Sequence, residues 1–534
     1  MLRINELKIQ VSHSEEELKN KIAKLLRTKR DFGFKVVRRA LDARHKPDLY
    51  FNYIVDISIK GEEEVLKHAD KKVTKASVTE YKFPCYTTNI SEVNRPIIIG
   101  LGPAGLFAGL HLARNGYRPI IFERGQCIEQ RSKTVEEFFR SGKLNVSSNI
   151  QFGEGGAGAF SDGKLNTLVK DKSGRNKVVL KDLVNYGAPE EILYDYKPHV
   201  GTDILLTVVK NISDEIRRLG GEIYYDTNIN EFRVENGELV GIGSSQSEVK
   251  HEGHPVILAI GHSSRDTFEI LNSVGIYMKP KPFAVGFRVQ HPVELINENQ
   301  YGKKVIKELG NATYKVTHQC KDGRGVYSFC MCPGGFVVNA SSEDGRLAVN
   351  GMSYSKRDSK CSNSAIIVTI NPEDYGDGQD PMSGIKFQRK LEEKAYRLGN
   401  GSIPYELYCE FKEARINDGV DPLLLTKGDC KHAAVHEIMP RFINDDFVEG
   451  MEAFGKQISG FDNDETVVYG VESRTSSPVK MYRSDTCESN IKKLYVCGEG
   501  AGYAGGITSA AMDGILVAQN VAMRINESEN VYEY

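Results

Sequence analysis

A chain of 534 residues, 27% charged and 40% hydrophobic, has the balance of a globular protein with room for two to four domains and a large core. Its formal charge of −2 excludes a general affinity for polyanions, and no apolar run reaches the roughly 18 residues of a membrane span, so no membrane association is predicted. The ten cysteines are scattered and none forms C-x-x-C, which argues against a zinc site or a dithiol pair of that spacing; no metal site is predicted. With no apolar h-region at the N-terminus, the cysteine pattern predicts reduced thiols in a cytoplasm.

Residues 1–90 read as a separate small domain. Leu7 to Val11 alternates as a strand, and Ser14 caps a helix with Leu18, Ile22, Leu25 and Leu26 on one face. Phe32–Ala43 and Tyr50–Ile59 read as strands, Glu62–Asp70 as a helix and Ser77–Phe83 as a last strand. The order β-α-β-β-α-β predicts a ferredoxin-like α+β sandwich. This segment carries 19 Lys and Arg against 13 Asp and Glu, a net +6, with Lys21, Lys24, Arg27, Lys29, Arg30, Lys35, Arg38 and Arg39 close in sequence. Such a run is either a solvated basic face or a surface for an anionic partner or RNA.

The most informative stretch is Pro96 to Gly125. Ile97-Ile98-Ile99 is a short buried strand, Gly100-Leu101-Gly102-Pro103-Ala104-Gly105 a G-x-G-x-x-G turn, and Leu106–Asn115 a helix closed by Gly116. Arg118–Glu123 is a second strand ending in an acid 23 residues after Gly100. Gly100 allows the tight turn, Gly102 lets backbone approach a pyrophosphate, and Gly105 and Gly109 let the helix pack on the sheet. The helix start takes the phosphates, and Glu123 is placed to accept from a ribose diol. Gly153 to Gly158 also fits the glycine pattern, but without a strand before it or a helix after it, and reads as a loop. Within Ile150–Thr167, Phe152, Phe160 and Leu165 anchor that loop. The anchors favour contact with a cofactor's ring or pyrophosphate over a flexible surface loop.

Further on, Thr134–Arg140 and Asp203–Leu219 read as helices, and Val256 to Ser264 as a buried strand ending at Gly261, where a doubly wound sheet holds its ligand. From about 280 to 466 the pattern is mixed and largely β, including strands over Phe283–Gln290, Tyr327–Cys332 and Ala365–Ile370. Leu494 to Gly500 is again a buried strand with an acid, Glu499, at its tip; glycines follow, then a long apolar helix over Ile507–Ile525. Its N-terminus is aimed at the same ligand.

The fingerprint with Glu123, the VILAIGHSS strand and LYVCGEGAGYAGGI together resemble the glutathione-reductase-type FAD superfamily. Glu499 stands where that superfamily's C-terminal motif has Asp. KPFAVGFRVQHP, SFCMCPGG, NGMSYSKRDS and GVESRTSSPV are similar to a bacterial family of uncharacterised FAD-dependent dehydrogenases, related to aminoacetone-oxidase-like flavoproteins. The resemblance implies an α/β fold: a Rossmann-like FAD-binding domain over 95–280, with an excursion at 130–195, resumed over 467–534. A largely β substrate or cap domain is inserted over 281–466, behind the ferredoxin-like domain. It implies FAD contacts from Gly100, Gly102, Pro103, Ala104, Gly105, Glu123, Arg124, Ile229, Gly261, Glu499, Gly506, Ile507 and Thr508. Lys164 and Asn166 are then placed to reach the pyrophosphate or flavin.

The function expected is an FAD-dependent oxidoreductase moving hydride or electrons between a small organic substrate and flavin, with NAD(P)H docking transiently as donor because only one nucleotide fold is evident. Cys330-Met331-Cys332 lies in a strand, so both thiols are expected on one face, either redox-active beside the flavin or packed as small hydrophobes. Cys332, Cys330, Lys164 and Arg474 are the catalytic candidates. Arg474 and Arg288 are either binders of a substrate carboxylate or members of structural ion pairs. The alternative function is a flavin-dependent RNA-modifying or RNA-binding protein that uses the basic N-terminal domain.

Overall fold

The computed structural model describes residues 1–77, 80–167, 169–245, 250–303, 309–417 and 422–530. Near the N-terminus, strands Leu2–Gln10, Phe32–Asp42, Tyr50–Ile59 and Val73–Lys75 form one antiparallel sheet in the order second, third, first, fourth. Helices Glu15–Leu26 and Glu62–His68 interleave with them in the chain. Ser14 and Glu17 form a capping box at the first helix, and Leu18, Ile22 and Leu26 bury its inner face. The expected last strand at Ser77–Phe83 is replaced by Val73–Lys75, which pairs with Leu2–Ile4. Residues 78 and 79 lie outside the described residues. Tyr81 and Phe83 look like strand residues but serve packing: the Tyr81 hydroxyl donates to Gln519 at 2.9 Å and Phe83 stacks on His111.

A five-stranded parallel sheet follows, in the order Leu494–Val496, Val256–Leu258, Ile97–Ile99, Ile120–Phe122, Glu222–Tyr224. Its three central strands are covered on both faces, which is why they are unbroken Ile, Val, Leu and Phe. Helices Pro103–Arg114 and Ile507–Asn530 pack against each other. Gly514 permits the crossing, since a Cβ there would stand 2.1 Å from the Ala104 carbonyl oxygen. Gly109 likewise sits between Ile121 and Ile216.

The middle of the chain forms a seven-stranded sheet in the order Thr317–Gln319, Gly325–Cys332, Cys361–Ile370, Phe283–Pro292, Val467–Glu472, Ile403–Leu407, Cys430–His432. A smaller sheet joins Val349–Met352, Phe336–Asn339 and Thr426–Lys427. Phe287, Phe411, Phe447 and Phe454 fill the core between the large sheet and the Arg441–Gly455 helix. The chain runs into this region through Met278–Pro280 and returns through Val479–Met481, which pair antiparallel. The return expected at 467 thus falls inside the large sheet, where Val467–Glu472 pairs with Phe283–Pro292.

Candidate active site

The carboxyl ends of the parallel strands open on a cavity of about 350 Å³. Gly100 makes the turn into it with φ +98°, and a Cβ there would stand 2.5 Å from the Ala259 carbonyl oxygen. Gly102 begins the Pro103–Arg114 helix with no side-chain cap, and Gly100, Gly102, Pro103 and Ala104 line the cavity. Gly105, expected as a cofactor contact, does not line it: its Cβ would meet the Gly100 carbonyl oxygen at 1.9 Å, so its work is the packing of helix on turn.

Glu123 lines the cavity but is already engaged. Its carboxylate accepts from the backbone N–H groups of Leu101 at 2.7 Å, Gly125 at 3.0 Å and Gly153 at 2.9 Å. A carboxylate has about four acceptor positions, so about one is left for a ribose hydroxyl. Arg124 and Ile229 also line the cavity. The Arg124 guanidinium pairs with Asp266 at 2.9 Å and lies over the Phe152 ring.

The glycine-rich segment is held from inside by a residue the sequence did not single out. Arg131 is fully buried, and its guanidinium donates to the carbonyl oxygens of Asn149, Ile150, Gly153 and Glu154. Phe160 stacks on it, and burial pulls its pKa down to about 10. The segment is therefore no flexible surface loop. It runs along the fingerprint turn, where a Cβ on Gly156 would stand 2.9 Å from the Gly102 Cα. Gly163, Lys164 and Asn166 continue the wall. Asn166 donates to the Tyr196 carbonyl at 2.8 Å. Lys164 pairs with Asp162 at 2.8 Å and donates to the Met331 carbonyl. Asp162 also binds Arg357 and Ser353. Burial alone would raise the Asp162 pKa, but Lys164 and Arg357 hold it down to about 2.

At the next strand ends, Gly261 and Glu499 line the cavity, with Gly505, Gly506 and Ile507 at the start of the last helix. Thr508 does not line it: the fully buried hydroxyl turns back to the Leu165 carbonyl at 2.9 Å. His262, in the cavity wall, is only 7% exposed, yet neither ring nitrogen has a hydrogen-bond partner among the described residues. Its Nδ1 lies 3.2 Å from Glu499 Oε1, near enough for an ion pair but misaligned for a hydrogen bond. A buried imidazole with no hydrogen bond to either ring nitrogen, facing a cavity, calls for a ligand group.

The remaining wall includes Phe329 and Cys330 from the large sheet, Asn350 from the smaller one, and Arg474 and Thr475 just beyond Val467–Glu472. The two arginines considered for a substrate carboxylate are already neutralised. Arg288 is fully buried and binds Glu472 at 2.9 Å and Asn363 at 2.7 Å. Arg474 binds Glu392 at 2.8 and 3.0 Å, and the same carboxylate holds Arg265. Arg474 thus borders the cavity with its charge matched by Glu392. The face-sharing expected for Cys330 and Cys332 does not follow from strand alternation. The pairing slips between Phe329 and Cys332, and Cys330 has φ +43°. Cys330 lines the cavity, whereas Cys332 is fully buried behind it.

Away from the cavity wall, His318, Cys320 and Glu449 bring their ligand atoms within 4.8 Å of one another, with His318 and Glu449 paired at 3.1 Å. Of the basic N-terminal run, Arg39 is bound to Asp195 at 2.7 Å and Arg38 lies over Tyr196. No helix among the described residues is long and apolar enough to cross a membrane.

Comparison with known proteins gives the chain its relatives. Residues 282–475 match the family described as FAD-dependent protein, C-terminal domain-like, and residues 1–58 match a domain of unknown function (DUF8436). The chain is 43% identical over 531 residues to an uncharacterized protein of Clostridium beijerinckii, covering 97% of this chain and 98% of that one, and it belongs to the same family as that protein. Among solved structures it resembles a mutant of E. coli quinol fumarate reductase FrdA (11% identity, 82% of this chain and 71% of that one, TM-score 0.35). It also resembles CtdE in complex with FAD (13%, 82% and 91%, TM-score 0.32). A geranylgeranyl bacteriochlorophyll reductase-like protein of Thermoplasma acidophilum is a third (13%, 81% and 79%, TM-score 0.35).

Proposed function

We propose that the protein is an FAD-dependent oxidoreductase acting on a small organic substrate, with a Rossmann-like unit binding FAD along the cavity. The observation that carries this reading is the fit of the cavity wall to a long, phosphate-bearing ligand. Bare backbone at Gly100, Gly102, Gly261, Gly505 and Gly506 faces the space, and a Cβ on Gly261 or Gly505 would touch nothing within 4 Å. The uncapped start of the Pro103–Arg114 helix supplies N–H donors for the phosphates. His262 offers the unpaired donor such a ligand would satisfy. The family match over residues 282–475 supports the same cofactor.

When bound, the flavin supplies hydride and electron transfer. The chain's part is to hold it. Glu123 fixes the turns around the ribose, Arg131 stiffens the glycine segment, and the first N–H groups of the Ile507–Asn530 helix favour negative charge beside them. The donor we propose is NAD(P)H, docking transiently. Acid extraction of purified protein reconstituted with FAD should release one FAD per chain; FMN or no flavin would overturn the reading. Anaerobic mixing with NADH and NADPH, followed by absorbance, tests the donor.

A further inference from the structure

Cys330 and Cys332 sit in an arrangement that ordinary strand packing does not require. The register slip and the left-handed backbone at Cys330 turn its side chain to the cavity, a conformation non-glycine residues rarely keep without surrounding support. That support is visible. Arg288 donates to the Cys330 carbonyl at 3.2 Å, and Lys164 donates to the carbonyl of the intervening Met331. Cys332 is fixed from behind, where a Cβ on Gly351 would stand 2.8 Å from its sulfur. Its thiol donates to the Cys330 carbonyl at 3.3 Å. Two residues apart, their Cα atoms can be no more than about 7 Å from each other, the outer edge of the range a disulfide spans.

The surrounding charges favour one negative charge on this pair. Lys164 and Asp162 face it from the glycine segment, with Arg357 on Asp162; Arg288 faces it from Phe283–Pro292, the strand beyond Cys361–Ile370, with Glu472 on Arg288. Lys164, Arg357 and Arg288, with Lys197 beside the first two, outnumber the carboxylates of Asp162 and Glu472, a balance that favours negative charge on the pair. The neighbouring Cys332 thiol, then Lys164 and Arg288, pull the Cys330 thiol below the usual thiol range, and Cys332 is pushed up as the proton holder. Among the described residues the other displaced thiols, at Cys320, Cys361, Cys409, Cys430, Cys487 and Cys497, all move upward under burial.

We propose that Cys330 and Cys332 form a dithiol–disulfide couple that exchanges an electron pair with FAD bound in the cavity, so that thiol–disulfide chemistry is one half of the protein's reaction. The proposal rests on the FAD reading above. The step balances: the Cys330 thiolate and the Cys332 thiol join in an S–S bond, and their two electrons and the Cys332 proton pass to oxidised flavin. Reversal reduces the disulfide. Cys330, the partner open to the cavity, is where a small thiol or disulfide would exchange.

The test uses FAD-loaded wild type, Cys330→Ser and Cys332→Ser. Under anaerobic conditions, dithiothreitol should bleach the wild-type flavin about ten-fold or more faster than in either variant, while dithionite bleaches all three. In air-oxidised wild type, alkylation without prior reduction should leave the peptide 325–346 unmodified and lighter by two hydrogens, which needs no variant to fold. In apoprotein, alkylation of Cys330 should stay fast below the usual thiol range and slow about ten-fold or more at pH 6 in Cys332→Ser. Equal dithiothreitol rates in FAD-loaded wild type and variants, or two alkylatable thiols in the oxidised wild-type peptide, overturn the couple and leave the FAD reading standing. Failure of wild type to hold FAD overturns both.

Discussion

Two glycines three residues apart, Gly102 and Gly105, separate the ligand from the fold. Gly102 has φ −73° and ψ −175°, extended backbone that valine adopts freely, and its Cβ would touch only the Gly156 Cα, at 3.7 Å. Gly102→Val therefore costs the apoprotein only about 1 kcal/mol, the difference between glycine and a poor helix cap. Its methyl groups, however, occupy the approach to the helix start. If two charge-assisted hydrogen bonds to phosphate are lost at about 1.5–3 kcal/mol each, FAD binding weakens by about 3–6 kcal/mol, roughly 150-fold or more. Gly105→Ala should do the reverse. Its Cβ falls 1.9 Å from the Gly100 carbonyl oxygen, a backbone atom that cannot rotate away, so overpacking costs the fold about 3 kcal/mol. The assay is a urea midpoint for each apoprotein by circular dichroism, alongside an FAD titration followed by flavin fluorescence. A Gly102→Val variant that binds FAD as tightly as wild type would refute the placement of the phosphates at this turn.

Two further outcomes follow from buried charge. Glu392 is wholly buried between Arg265 and Arg474, so Glu392→Gln leaves Arg474 without its carboxylate and Arg265 with Glu343 alone, and should cost about 3–5 kcal/mol in urea unfolding; an unchanged midpoint would show that the ion pair contributes nothing. Glu406, also buried, has its pKa raised to about 8 by desolvation and accepts from the His436 backbone N–H at 2.6 Å. The folded pKa exceeds the unfolded value of about 4.3, so the protonated form is the one the fold accommodates. Wild type should lose stability at up to about 1.4 kcal/mol per pH unit between pH 5 and 8, and Glu406→Gln should flatten that slope. Parallel slopes in the two proteins would contradict it.

What the sequence made legible was local. The capping box at Ser14, the turn at Gly100 and the glycine contacts of the Pro103–Arg114 helix are read from residues a few positions apart, because caps, turns and helix faces repeat at short fixed spacings. Four parallel strands were recognisable for the same reason, each an apolar run ending at a glycine or an acid. The Tyr81 and Phe83 alternation misled because a period of two marks packing as well as pairing, and the helices that received those rings lie elsewhere in the chain.

The chemistry of the large-sheet wall was illegible for a different reason: sequence displays a charge but not its counter-ion. Arg474 and Arg288 looked like candidates for a substrate anion until Glu392 and Glu472, 82 and 184 residues away in the chain, were found against them. Cys330 and Cys332 looked like a pair on a strand face, which by itself means little. Their meaning depends on a register slip set by a neighbouring strand and on a lysine from a loop 166 residues earlier than Cys330 (Lys164). Once those partners are in place the two kinds of residue exchange roles. The arginines, matched by carboxylates, are structure, while the thiols face an excess of positive charge, and it is on them that the proposed dithiol–disulfide couple rests.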